Sequence, residues 1–179
     1  MTAVLPSLAL ALLSLLQAGA EVPVQPGFNA EKFVGTWHVT AAASNCSVFL
    51  KMKDGMKSSI TTISFTPEGD LAMKLVWPWM DRCQKFELLF QRSGQAGHYM
   101  AQEKRELHVM ETDYSCYAIV HELQQRGQEP ITALQLLTRD QDMSPQLLQK
   151  FEELIPIMGL TKDMLAILPK SDQCTKATS

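Results

Sequence analysis

The chain has 179 residues, enough for one domain with a single core, and 16 Lys+Arg against 19 Asp+Glu give a formal net charge of -3. A mildly acidic chain without a Lys/Arg run has no electrostatic handle for nucleic acid. Its four cysteines match no zinc spacing and its four histidines do not pair at i, i+4, which excludes the common metal motifs.

The first twenty residues, "MTAVLPSLALALLSLLQAGA", run apolar from Ala3 to Leu16 and end in Ala18-Gly19-Ala20, a small-x-small cleavage pattern. The run is too short for a membrane span and polar, Pro-containing sequence follows it, so residues 1–20 are expected to be a secretory signal peptide. Cleavage after Ala20 leaves residues 21–179 as one exported domain, and cysteines in an exported protein suggest disulfides. Four cysteines allow three pairings.

From Thr36 onward the chain alternates as strands do. "TWHVTAAA", "SSITTISF", "LAMKLVW", "KFELLF", "HYMAQ", "ELHVME", "SCYAIVHE" and "ITALQLLT" are short segments rich in β-branched, aromatic and aliphatic residues. Turn signals divide them at Thr66-Pro67-Glu68-Gly69-Asp70, at Arg92-Ser93-Gly94 and at Gln125-Arg126-Gly127. Eight such strands predict an all-β antiparallel sheet, sandwich or up-and-down barrel. One helix follows: Ser144 suits the N-cap, Pro145 the first position, and Leu147, Leu148, Phe151, Leu154 and Ile155 form a single apolar stripe that needs one surface to lie on. Pro156 and Gly159 end it, and "MLAILP" reads as a short ninth strand before Cys174.

Three motifs stand in this frame: Gly35-x-Trp37 entering the first strand, Thr112-Asp113-Tyr114 between the sixth and seventh, and Arg139 leaving the eighth. Together they resemble the lipocalins, over Phe28 to Cys174. "QPGFNAEKF", "RDQDMSPQ" and "GLTKDMLAILPKSDQC" are most similar to the lipocalin-15-type branch, near the lipocalin-type prostaglandin D synthases and the extracellular fatty-acid-binding lipocalins. The resemblance implies an eight-stranded up-and-down barrel with one C-terminal helix and a ninth strand. It implies that Thr112, Asp113 and Tyr114 form a turn at the closed end, where Arg139 stacks on Trp37, a contact worth about 0.5–2 kcal/mol. Asp113 is then expected to cap backbone N–H groups, and no catalytic partner stands beside it in sequence.

The same resemblance supplies an inward set. It comprises Leu71, Met73, Leu75 and Trp77 on strand three; Phe86, Leu88 and Phe90 on strand four; and Arg105, Leu107 and Val109 on strand six. Cys116, Ala118 and Val120 follow on strand seven, then Ala133, Gln135 and Leu137 on strand eight, with Leu134 and Leu136 outside under the helix. A lining of this kind suits an apolar guest; the alternative is an interior packed by its own side chains. Arg105 either pairs with a ligand acid group or carries its charge out to water along an apolar stem.

The resemblance pairs Cys83 with Cys174. Cys46 at the rim and Cys116 near the base make a geometrically poor pair, and Asn45-Cys46-Ser47 is an N-glycosylation sequon. Prostaglandin D synthases use a cavity thiol on strand two; here Met56 to Phe65 contains none. The expected function is an extracellular monomeric carrier of a fatty acid, lysolipid or retinoid-like amphiphile, without cofactor, metal or enzymatic activity. The alternatives are a prostaglandin-synthase-like enzyme and a siderophore-sequestering defence protein.

Overall fold

Alternating apolar residues on successive strands close here into a barrel. The structure, a computed structural model, describes residues 22–175; the signal-peptide reading falls on residues 1–20, outside them. A short helix α1 (Ala30–Phe33) leads into β1 (Gly35–Ser44). A second, α2 (Ser47–Met52), and a 3-10 turn (Lys53–Gly55) bridge to β2 (Ser59–Phe65). The meander continues through β3 (Leu71–Trp79), β4 (Arg82–Arg92), β5 (His98–Ala101), β6 (Arg105–Thr112), β7 (Tyr117–Arg126) and β8 (Glu129–Thr138). Helix α3 (Pro145–Ile157) and β9 (Leu165–Ile167) complete it.

Neighbouring strands pair antiparallel in the order β2-β3-β4-β5-β6-β7-β8-β1-β9, and β1 also pairs with β2. That second pairing closes eight strands into a barrel and leaves β9 as an addition on β1, where Ala41 to Ala43 face Leu165 to Ile167. Strand β1 reaches three partners because it is long: Gly35 to Val39 pair with β2, Ala41 to Ala43 with β9, and His38 to Ser44 with β8, across a register shift between Val39 and Ala41.

The period-2 alternation divides the apolar residues into two layers. Inside the barrel, Trp37, Phe33, Ile63, Leu71, Met73, Phe90, Leu107, Val109, Ala118, Val120 and Leu137 form one buried cluster. Outside, Ala41, Ala43, Met110, Ile119, Leu134 and Leu136 form a second under Phe151, Ile155 and Leu160. The stripe read on α3 therefore finds its surface on the outer wall. Ser144 caps the helix, its hydroxyl accepting from the Leu147 N–H at 3.2 Å.

The barrel is not uniform around its girth. Strand β5 has four residues and bonds β4 only at Gln91 and Arg92, so most of the eleven-residue β4 has no partner on that side. The wall opens laterally there.

Candidate functional site

The closed end shows what the three motifs do. Arg139 crosses beneath the barrel with its guanidinium 3.7 Å from the Trp37 ring centroid. It donates to the carbonyls of Tyr114 (2.9 Å), Lys32 (3.0 Å), Val34 (3.1 Å) and Thr36 (3.1 Å). Trp37 Nε1 donates to Phe33 O at 2.8 Å. Asp113 Oδ1 accepts the N–H groups of Cys116 and Tyr117 at 2.8 and 2.9 Å, and Thr112 Oγ1 accepts from Tyr114 N while donating to Tyr117 O. Arg139 thus joins α1, β1 and the β6–β7 turn, and Asp113 Oδ1 is engaged in holding that turn, the capping role expected of it.

The open end is hollow. A cavity of about 380 Å³ is lined by side chains of β1, β3, β6, β7 and β8 and by Phe49 and Met56 from the β1–β2 connection. Of the inward set, Leu75, Trp77, Arg105, Ala133 and Gln135 line it. Leu71, Met73, Phe90, Leu107, Val109, Ala118, Val120 and Leu137 are buried in the inner cluster below. The expected alternatives, open cavity and packed interior, thus coexist: the lower barrel is filled by its own side chains and the upper barrel is not.

Two residues of the set depart from their expected environment. Cys116 is exposed, in the turn ahead of β7, because Asp113 holds its N–H and the strand starts only at Tyr117. Phe86 shares a face with Leu75 through their pairing, but it is 49% exposed because β5 stops short of it. With Leu88 it borders a second, lateral hollow between β4 and the β5–β6 turn, and Arg105 lines both hollows.

Arg105 is not a free cation. Its Nη1 lies 3.6 Å from Glu122 Oε2, and its Nη2 donates to Gln124 Oε1 at 3.3 Å. Burial raises the Glu122 carboxyl above the ordinary carboxylate range, against the opposing pull of Arg105. Glu122 and Gln124 continue the inward alternation of Ala118 and Val120, so counting two further steps along β7 finds them. Phe49, Met52 and Met56 stand at helix-like spacing after β1, the signal for a short cover that strand patterning passes over.

Cys83 and Cys174 form a disulfide with Cα atoms 5.6 Å apart, while Cys46 and Cys116 are free, at opposite ends of the barrel. Cys46 borders the cavity. Asn45 is exposed at the rim, where its side chain accepts from Thr132 N and donates to Pro130 O. Among the described residues no group of His, Cys, Asp and Glu is arranged to hold a metal ion, and no helix is long and apolar enough to cross a membrane.

Comparison with known proteins agrees with this architecture. The model of the lipocalin / cytosolic fatty-acid binding protein family matches residues 34–172. Lipocalin-15 of Homo sapiens is 40% identical, with 92% of each chain covered. An extracellular fatty acid-binding protein of Coturnix japonica is 33% identical, with 94% of each covered. Among solved structures, the siderocalin Ex-FABP, described as functioning through dual ligand specificities, superposes with a TM-score of 0.71 at 28% identity, covering 78% of this chain and 95% of its own. An eight-stranded barrel closed by Trp37 and Arg139, matched by the family model from Val34 to Asp172, makes this chain a member of the lipocalin family.

Proposed function

We propose that the protein is an extracellular, non-enzymatic carrier that holds one small apolar or amphiphilic molecule in the upper half of its barrel. The observation that carries this reading is the hollow of about 380 Å³ above a packed floor. Its size falls in the range of roughly 300–1,000 Å³ common for ligand pockets. Leu75, Trp77, Phe49, Met56, Ile131 and Leu168 give it an apolar wall, and burying each CH₂ of a guest there favours binding by about 0.8 kcal/mol. The similarity to extracellular fatty acid-binding proteins supports the same class of guest. Sequestration of a highly charged anion is less well supported, because Arg105 is paired with Glu122 and the lining's other cation, Arg126, lies exposed at the rim.

An uncharged, environment-sensitive fluorescent lipid is the direct test. Wild type should take it up with a blue-shifted, enhanced emission, and alkyl amphiphiles should displace it. Ala133→Trp, which fills the cavity from β8, should abolish uptake while leaving the melting temperature within a few degrees. Wild-type protein that takes up no probe would sink the carrier reading. Export is part of the same proposal: a secreted product should begin at Glu21, and a glycosidase-sensitive mass on Asn45 would show the sequon in use.

A further inference from the structure

The cavity wall contains a pair that an apolar carrier does not need. Glu122 on β7 and Arg105 on β6 both line the hollow, 3.6 Å apart. The arrangement is built: Gln124 accepts from the second arm of the guanidinium, and its own amide donates to Glu103 Oε2 at 3.4 Å. The pair is partly buried, and ion pairs withdrawn from water are an inefficient way to stabilise a fold, because desolvation of the ions offsets their attraction. The other charged or titratable lining groups are Arg126, at the exposed end of β7, and Cys46 on the side of α2. Toward Glu122, β8 presents Ala133 and Gln135, β3 presents Leu75 and Trp77, and the cover presents Phe49 and Met56. Glu122 therefore depends on Arg105 for its charge balance, and a head group that reaches Arg105 through the upper barrel cavity meets Glu122.

Resting on the carrier reading, we propose that Glu122 selects the head group: an anionic amphiphile captures Arg105 only by displacing Glu122, which takes a proton from solvent as it lets go, whereas an uncharged amphiphile binds beside the intact pair. Two anions on one guanidinium in a poorly solvated wall repel, and protonating one of them relieves the repulsion. Glu122 is the group prepared to accept that proton, since burial already disfavours its charged form. The complex with an anion then holds one proton more than the free protein. By linkage its affinity falls as pH rises, by about tenfold per pH unit at the steepest, beginning above the ordinary carboxylate range. An uncharged ligand shows no such slope.

The test displaces the uncharged fluorescent lipid with decanesulfonate, ionised throughout, and with decanamide, uncharged throughout, from about pH 5 to about pH 9, a range that brackets a raised carboxyl. Sulfonate affinity should drop at least tenfold across the range while that of decanamide stays level. Glu122→Gln should flatten the sulfonate profile and raise its affinity about tenfold at the alkaline end. Calorimetry of sulfonate binding to wild type, in two buffers of different ionisation heat, should show uptake approaching one proton, a readout that needs no variant to fold. Parallel pH profiles for the two ligands, an unchanged slope in Glu122→Gln, absence of proton uptake, or decanamide bound with sulfonate excluded at every pH would each overturn the role of Glu122. Failure of the probe and of both ligands to bind would refute the carrier reading, and this inference with it.

Discussion

At the scale of single residues the closed end is the most demanding part of the molecule. Gly35 has φ +116°, and a Cβ added there would lie 2.8 Å from Arg139 Nη1. The glycine of the first motif is thus required twice, by its backbone and by the guanidinium beneath it. Arg139 in turn gathers carbonyls from α1, β1 and the β6–β7 turn. Removing it leaves several of them without a donor as well as losing the stacking on Trp37. Arg139→Ala should cost about 3 kcal/mol, a fall in melting temperature on the order of 6–12 °C for a domain of this size. Arg139→Lys should recover little, because an ammonium cannot lie flat on an indole and fan donors to both sides. Thermal melts of the two variants beside wild type decide it; equal melting temperatures would remove the structural role. Gly35→Ala should be destabilising in the same assay.

At the scale of elements, β5, β6 and β7 carry a ladder of three histidines on the outer face. His98 pairs with His108 and His108 with His121 in register. The first two rings stack at 4.2 Å and the next pair meets edge-on at 5.8 Å. His98 approaches Glu106 at 3.4 Å. His121 is buried, and desolvation, helped by the nearby His108, lowers its pKa to about 4. Burial likewise lowers His108, with His98 adding to the effect and Glu106 opposing it. A histidine depressed in the folded state binds fewer protons than in the unfolded chain between about pH 6.5 and about pH 4. Its stabilisation is therefore present above the unfolded value and lost as pH falls through that window. For His121 the loss is about 3 kcal/mol. The melting temperature should drop between pH 7 and about pH 4.5, and His121→Leu should flatten that drop. A wild-type melting temperature that is constant over the window would contradict it.

At the scale of the whole molecule, the Cys83–Cys174 bond ties the end of the chain to β4 across 91 residues. The tail first runs beside β1 as β9 and then returns to the barrel wall, where Gln173 Nε2 also donates to Met80 O at 2.9 Å. Closing so long a loop stabilises by about 4–5 kcal/mol in the chain-entropy model. A Cys83→Ala, Cys174→Ala pair should lower the unfolding free energy by an amount of that order in urea while leaving the far-ultraviolet circular dichroism unchanged. Non-reducing peptide maps that link Cys46 to Cys116 instead would contradict the fold itself.

Period-2 patterning, turn residues and the capped apolar stripe of α3 were enough to read eight antiparallel strands and one helix with a single face to bury, while the closure of those strands as an up-and-down barrel came from the resemblance. These signals are local: each depends on residues within one element and on the solvent it must avoid. The three motifs were legible as a resemblance, and their chemistry follows once Trp37, Asp113 and Arg139 are placed together. What the tertiary structure alone decided lies between elements. Whether Leu107 and Leu137 fill the barrel or line a hollow depends on how far opposite walls stand apart, and strand patterning is the same in either case. The brevity of β5 exposes Phe86, the start of β7 at Tyr117 leaves Cys116 in the turn, and α2 brings Phe49 to the cavity. The pairing of Arg105 with Glu122 is the sharpest instance. It requires the register of β6 against β7, which shifts between Val109 and Glu111, a shift that strand patterning does not show. Alternation, anchored by the resemblance, turns both residues inward; only the register of β6 against β7 makes them partners.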